Sequence, residues 1–312
     1  MSGEGIVNTA LLPVFAERDV LQIRTDELLY GMSVEITDTK ERDRYRIETD
    51  YQYTGLVSSG GVLCEGRRVG VWKRSKLLVV SGRFCDVLSQ PTVKSRVLLT
   101  LYRGSLLQNR GSAAEPGWHC VGLADGTDGY VRQEQVREYV KPFGGKVKNQ
   151  NCPEECGNTG KKAYGTEAYG RESYGREAGG IEAYGTESAL RDALVNTAYS
   201  YLGTPYRWGG KSTLGIDCSG FTFMVYALNG IYIHRDSAWL PQSLVRKIAD
   251  CEKKAGDLLY FPGHIAMYLG NGEYIHATAR DGAGVTVNSL KKGCAGYRAD
   301  LEHSYLYAGT VF

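Results

Sequence analysis

Cysteine and histidine can hydrolyse an amide when one supplies sulfur and the other takes its proton. This chain has eight cysteines and only five histidines. Cys218 lies in Ile216-Asp217-Cys218-Ser219-Gly220-Phe221, and two histidines follow, in Gly263-His264-Ile265-Ala266 and in Tyr274-Ile275-His276-Ala277. Asp217 is a good helix N-cap, which makes Cys218 the first helical position. A thiol there feels the positive end of the helix dipole, which favours the attacking thiolate. Both histidines sit in alternating, strand-like runs joined by Asn271-Gly272, a hairpin turn that brings them together. The set offers a nucleophile, a base and an orienting group for the base. The competing reading makes Cys218 a small buried residue and the histidines satisfied core groups.

The elements that must hold these residues are readable around them. Leu190, Leu194, Ala198 and Tyr201 recur on one face of a helix from Ser188, which Gly203 closes before Pro205. Phe221, Val225 and Leu228 repeat at helical spacing behind Cys218, and Gly230 is the stop. Gly256-Asp257-Leu258-Leu259-Tyr260-Phe261-Pro262, the two histidine strands and Val285-Thr286-Val287 complete an antiparallel sheet. Helices first and sheet second describe an α+β domain over 188–312.

The chain before it reads as β. Runs such as Ser33-Val34-Glu35-Ile36, Tyr45-Arg46-Ile47-Glu48, Val97-Leu98-Leu99-Thr100-Leu101 and Gly129-Tyr130-Val131 are broken by Gly, Asp and Ser turns, with no long helical period. One plan occurs twice. Leu28-Leu29-Tyr30-Gly31 precedes Tyr53-Thr54-Gly55-Leu56-Val57, and Leu101-Tyr102-Arg103-Gly104 precedes Gly129-Tyr130-Val131. Two small barrels follow from this, over 1–80 and 81–141. Residues 142–187 form a linker built on Ala163-Tyr164-Gly165-Thr166-Glu167 and its variants, whose five-residue period fits neither a heptad nor a strand.

The 312 residues suffice for two or three domains with real cores, and a net charge of +2 lacks the concentrated basic surface that nucleic acid requires. No apolar run is long enough to span a bilayer. The start shows no secretory signal, so the scattered cysteines read as reduced thiols in a cytoplasm. An upstream true N-terminus would make the protein extracellular instead. Cys152-Pro-Glu-Glu-Cys156 has no partner pair at zinc-site spacing and reads as surface thiols rather than a redox or metal pair.

Taken in order, Tyr206-x-Trp208-Gly209-Gly210, Asp217-Cys218-Ser219-Gly220-Phe221, Gly256-Asp257-Leu258, Gly263-His264-Ile265-Ala266 and Ile275-His276-Ala277 resemble the NlpC-type cysteine peptidases of bacterial cell-wall metabolism. The resemblance spans Ser188 to Phe312. It implies a papain-like fold cleaving murein stem peptides at γ-D-glutamyl bonds, with no metal or organic cofactor. The two β regions resemble bacterial SH3-like domains. The whole arrangement resembles the narrower YkfC type, dipeptidyl peptidases of wall-peptide recycling that act on free murein peptides with an unblocked N-terminal L-Ala.

That resemblance carries roles with it. Cys218 attacks the γ-carbonyl of D-Glu, His264 is the base and His276 its orienter. The Cys218 N–H and the Tyr206 hydroxyl hold the oxyanion. Asp236 and Ser237 form the pair that receives the substrate amine, and Glu27 and Tyr53 from the first barrel cap the same pocket. Trp208 and Tyr206 either pack or line the cleft, and Asp217 and Ser219 either cap the helix or face substrate. Asp236 as a helix cap and Glu27 as a solvated charge are the alternatives at those two positions. The leaving residue is diaminopimelate or lysine. A second functional reading makes the protein a secreted wall hydrolase anchored by its barrels.

Overall fold

The computed structural model describes residues 3–16, 22–38, 43–144, 184–241, 243–280 and 284–312. The tyrosine-glycine repeats before residue 184, with Cys152 and Cys156, lie outside the described residues. Among the described residues, two seven-stranded antiparallel sheets precede a C-terminal α+β unit. When strands are numbered afresh in each unit, both sheets run in the order 3-2-6-5-4-1-7. The repeated plan in the sequence is therefore a repeated topology. Gly31 and Gly104, which end the matching motifs, have φ of +81° and +93°, a region that glycine alone enters without strain.

The join between the two β units falls earlier than residue 80. The strand Leu77–Val80 pairs with Leu106–Ser112 and Val136–Glu138, so it belongs to the second sheet. A helix, α1 (Gly66–Arg74), also stands where the sequence shows no helical period. It buries only Val69 and Trp72, too few positions to make a pattern. Trp72 Nε1 donates to the Gly31 carbonyl (3.0 Å), and the Ala124 N–H donates to the Tyr30 hydroxyl (2.6 Å), which ties the two β units together.

The C-terminal unit opens with α2 (Glu187–Tyr199), one residue earlier than the repeat pattern implies. Thr186 of the last repeat caps it, accepting from the Ala189 N–H at 3.2 Å, and Tyr184 donates to Asn229 Oδ1 at 2.7 Å. The last Tyr-Gly-Thr-Glu copy thus belongs to the folded unit. Leu190, Leu194, Ala198 and Tyr201 are all fully buried. The second helix of the unit, α3 (Cys218–Ala227), is buried from Cys218 through Tyr226. A helix apolar all round is a core helix. It packs on an antiparallel six-stranded sheet in which Leu258–Phe261, His264–Gly270, Glu273–Thr278 and Gly284–Ser289 are neighbours. Asn271 and Gly272 both take positive φ, 53° and 86°, as the primed hairpin turn requires. Two further strands, Arg246–Ile248 and Tyr307–Thr310, complete the sheet beyond those the sequence reading names.

Candidate active site

Asp217 caps α3 by accepting from the Gly220 N–H at 2.6 Å, which places Cys218 at the helix tip. Gly220 is required there, because a Cβ would lie 2.3 Å from the Gly210 carbonyl oxygen. The Cys218 side is shielded, with only 7 % of the residue exposed. The backbones of Ile265 and Ser219 both act on its thiol, which sets the sulfur near the start of the strand that carries His264.

The histidines meet across the hairpin. His264 Nε2 is 2.7 Å from His276 Nδ1, and His276 Nε2 is 2.9 Å from Asn288 Oδ1. His276 is fully buried. With Nε2 of His264 engaged by His276, Nδ1 is the ring nitrogen left over. Asn288 was not among the residues the sequence reading singled out.

The resting charges differ from the dipole argument. Burial pushes the Cys218 thiol up to about 11, and the Asp217 carboxylate adds to the rise. The N–H groups of Ile265 and Ser219 and the Arg235 charge act the other way and lose. Burial likewise carries His264 down to about 3, helped by His276 and Arg298 and opposed by Asp300. His276 falls to about 4 for the same first reason, with its Asn288 hydrogen bond opposing. Desolvation outweighs one helix terminus, which is worth about 1 kcal/mol. At neutral pH the thiol and both imidazoles rest uncharged.

This has a consequence for folding. Both imidazoles have folded-state values below the unfolded 6.5, so below 6.5 the unfolded chain binds more protons than the folded one. Stability then falls as pH drops from 6.5 toward 4, by up to roughly 1.4 kcal/mol per unit for each ring. Urea unfolding at pH 7 and pH 5 is expected to show the loss, and His276→Gln to reduce its slope. An unchanged slope in that variant would contradict the buried neutral ring.

The remaining sequence-nominated residues divide into two groups. Tyr206 is near the sulfur: burial raises its hydroxyl to about 12, with Cys218 and Asp217 as the next causes. Asp236, 51 % exposed, is raised by burial and feels Arg235, His234, Asp26 and Asp217. Tyr53 feels Asp236 and Asp26 and donates to the Thr25 carbonyl at 3.3 Å. Ser237 follows Asp236 in the same irregular segment. The Trp208 indole is 63 % exposed, and the Trp208 carbonyl accepts from Arg24. Trp208 is therefore not a core aromatic.

Asp217 and Ser219 have structural partners instead. Asp217 Oδ2 accepts from the Gly209 N–H (2.8 Å), and Ser219 Oγ accepts from Arg235 Nη1 (2.9 Å). Glu27 is not a solvated charge. It is fully buried, accepting from the Lys211 N–H at 3.3 Å with Arg207 3.4 Å away, and its Oε1 has no hydrogen-bond partner among the described residues. On strand Arg24–Leu29 adjacent side chains point to opposite faces, and it is Asp26 that reaches the Arg235 side.

Asp26 heads a buried network the sequence does not announce. Arg235 Nε donates to Asp26 Oδ1 (2.6 Å) and Arg235 Nη1 to Asp217 Oδ1 (3.2 Å). Lys211 Nζ donates to Asp26 Oδ2 (2.9 Å), which also accepts from the Tyr51 hydroxyl (2.5 Å). The cap of the Cys218 helix is thus bonded through one guanidinium to the first β unit. Among the described residues, no cluster of three or more His, Cys, Asp or Glu side chains is arranged to hold a metal ion, and no helix is long and apolar enough to cross a membrane.

Comparison with known proteins gives the family. Residues 203–300 match the model of the NlpC/P60 family. Dipeptidyl-peptidase 6 of Lysinibacillus sphaericus is 35 % identical over 309 residues, covering 98 % of this chain and 99 % of that protein. A gamma-D-glutamyl-L-lysine dipeptidyl-peptidase of Bacillus cereus is 44 % identical over 95 residues, 28 % of each chain. A crystal structure of an NlpC/P60 family protein from Bacillus cereus superposes with a TM-score of 0.69, at 19 % identity and covering 98 % of both chains, a likeness of fold.

Proposed function

The chain belongs to the NlpC/P60 family of cysteine peptidases, and from that premise we propose that it hydrolyses the γ-D-glutamyl–diamino acid bond of murein peptides whose N-terminal L-Ala is free. The observation that supports the reading is the 2.7 Å contact between His264 and His276, on the hairpin against which the helix tipped by Cys218 packs. The full-length likeness to a protein named Dipeptidyl-peptidase 6 supports it. Both β units are SH3-like barrels on this reading, and the protein works on wall fragments in the cytoplasm.

Cys218 is the nucleophile. Because its resting thiol is neutral, the proton passes to His264 Nδ1 as sulfur closes on the γ-carbonyl carbon. His276 holds the His264 ring through the 2.7 Å contact and faces the imidazolium that forms. The Cys218 N–H and the Tyr206 hydroxyl receive the oxyanion; a hydroxyl raised to about 12 stays protonated and can donate. Collapse breaks the C–N bond, His264 protonates the leaving amine, and water hydrolyses the thioester.

Selectivity arises at the other end of the substrate. The L-Ala ammonium loses water on entering the cleft and needs an anion. Asp236 supplies it, with Ser237 beside it and the Tyr53 ring as a wall. Glu27 contributes at one remove, by holding the backbone of Lys211 and the Arg207 side chain at the rim, while the Trp208 indole covers the peptide. An acylated L-Ala offers no charge to Asp236. Mass spectrometry of products should show L-Ala-D-Glu released from L-Ala-γ-D-Glu-diaminopimelate or its lysine counterpart. The N-acetylated peptides should react at least about 100-fold more slowly. Equal turnover of both forms, or cleavage of intact sacculi at the same rate, would sink the free-amine reading.

A further inference from the structure

We propose that Asn288 is a positioning residue that sets the tautomers of both active-site histidines and thereby aims the basic nitrogen of His264 at Cys218. Three contacts in series carry the order outward from a carbonyl. Asn288 Nδ2 lies 3.0 Å from the Gly296 carbonyl oxygen, a group that only accepts. The amide end facing it must be the NH2, so the end facing His276 is the oxygen Oδ1, which also only accepts. His276 Nε2 therefore carries hydrogen. In a neutral imidazole the other nitrogen is then a lone pair, so His276 Nδ1 accepts, and the atom 2.7 Å from it, His264 Nε2, must donate. A neutral His264 that carries its hydrogen on Nε2 has its lone pair on Nδ1. That is the nitrogen able to take a proton from sulfur.

Each link is held in place. His276 is fully buried with Tyr274 against its ring, at 5.0 Å between centroids. Asn288 sits opposite Tyr274, and Thr286 sits opposite His276, so Asn288 and His276 are diagonal neighbours on one face of the sheet. The Gly296 carbonyl that orients the amide is itself fixed by the Ser289 N–H at 3.0 Å. Gly296 has φ of +70°, and a Cβ there would come within 3.2 Å of Asn288 Nδ2. Arg298 and Asp300 also act on both rings, with opposite sign. Neither charge chooses between two neutral tautomers as a directed hydrogen bond does. Without Asn288, His276 is free to carry hydrogen on Nδ1, and that form turns the His264 lone pair away from the thiol.

The inference rests on His264 serving as the base, as proposed above, so its test has a readout that needs no substrate. In protein labelled with nitrogen-15 histidine, the parent should show both rings with hydrogen on Nε2. Asn288→Leu should give a mixture of tautomers at one or both rings, slow alkylation of Cys218 by iodoacetamide, and lower kcat about 10- to 100-fold with KM little changed. Asn288→Asp keeps an acceptor toward His276 but loses the donor toward the Gly296 carbonyl, so it should retain hydrogen on His276 Nε2 while loosening the loop. Parent tautomers and parent alkylation rates in a folded Asn288→Leu protein would overturn the proposal. So would equal losses of kcat in both variants with the tautomers unmoved, which would mark Asn288 as a loop anchor only. If the tautomers shift as expected but no γ-D-glutamyl peptide is cleaved by the parent, the positioning role stands and the substrate assignment fails.

Discussion

Cys218→Ala is expected to slow cleavage of the proposed peptide by at least about 10,000-fold, since residues that act as one catalytic unit fail together when any is removed. Cys218→Ser should be nearly as damaging, for a reason specific to this site. A serine hydroxyl needs a stronger base than a thiol does, and burial has carried His264 down to about 3. Such a ring can share a proton with sulfur as the new bond forms but cannot strip one from oxygen beforehand. Both variants should keep the parent fold, because Cys218 lies at the tip of a helix whose cap is made by Asp217.

The same charges set how the intact thiol behaves. Thiolate absorbance near 240 nm, taken as the difference between the parent and Cys218→Ala, should be absent at pH 7 and grow only on the alkaline side. Iodoacetamide should modify Cys218 slowly at neutral pH and faster as pH rises. A full thiolate signal at pH 7 would show that the helix terminus and the two N–H donors outweigh desolvation. The order of proton transfer and attack would then have to be reversed.

The residues proposed for catalysis stand out in the sequence because they sit in patterns with local causes. Asp217 reads as a cap from its own chemistry, and the hairpin that joins the histidines is announced by Asn271-Gly272. Asn288 was legible in principle. It stands one diagonal step from His276, as His276 stands one diagonal step from His264, but the second step needs the register of a third strand. Glu27 and Asp26 show the opposite limit. They are adjacent on one strand, so a single-residue ambiguity exchanges which carboxylate meets Arg235 and which meets the Lys211 backbone. Nothing local to Arg235 says that its partner lies 209 residues away. The α1 helix was missed because it sits between sheets that cover its few apolar residues, and a period needs more than two of them.

Asp26→Asn tests whether the first β unit is part of the active site or an appended module. The substitution keeps the shape and removes the anion shared by two fully buried cations, Arg235 and Lys211. Asp217 can still serve Arg235, at 3.2 Å, but Lys211 is left with the Tyr51 hydroxyl and the faces of the Tyr51 and Phe223 rings, none of them an anion. Removing one member of a buried ion pair costs about 3–5 kcal/mol, and urea unfolding should show a loss of that size. Activity should fall about 100-fold or more under native conditions, because Arg235 also holds Asp217 and Ser219 beside the nucleophile. The loss has a sign in pH. Burial already carries Lys211 down to about 8, below its unfolded 10.5, with Asp26 opposing the fall. Between those values the unfolded chain binds more protons, so stability rises with pH there. Without Asp26 the folded value drops further, the window widens toward neutrality, and the variant should recover part of its deficit between pH 7 and pH 10. A variant as stable and active as the parent at every pH would mean that the β unit only leans on the peptidase. Lost activity with unchanged stability would place Asp26 among the groups that touch substrate rather than those that hold the catalytic helix.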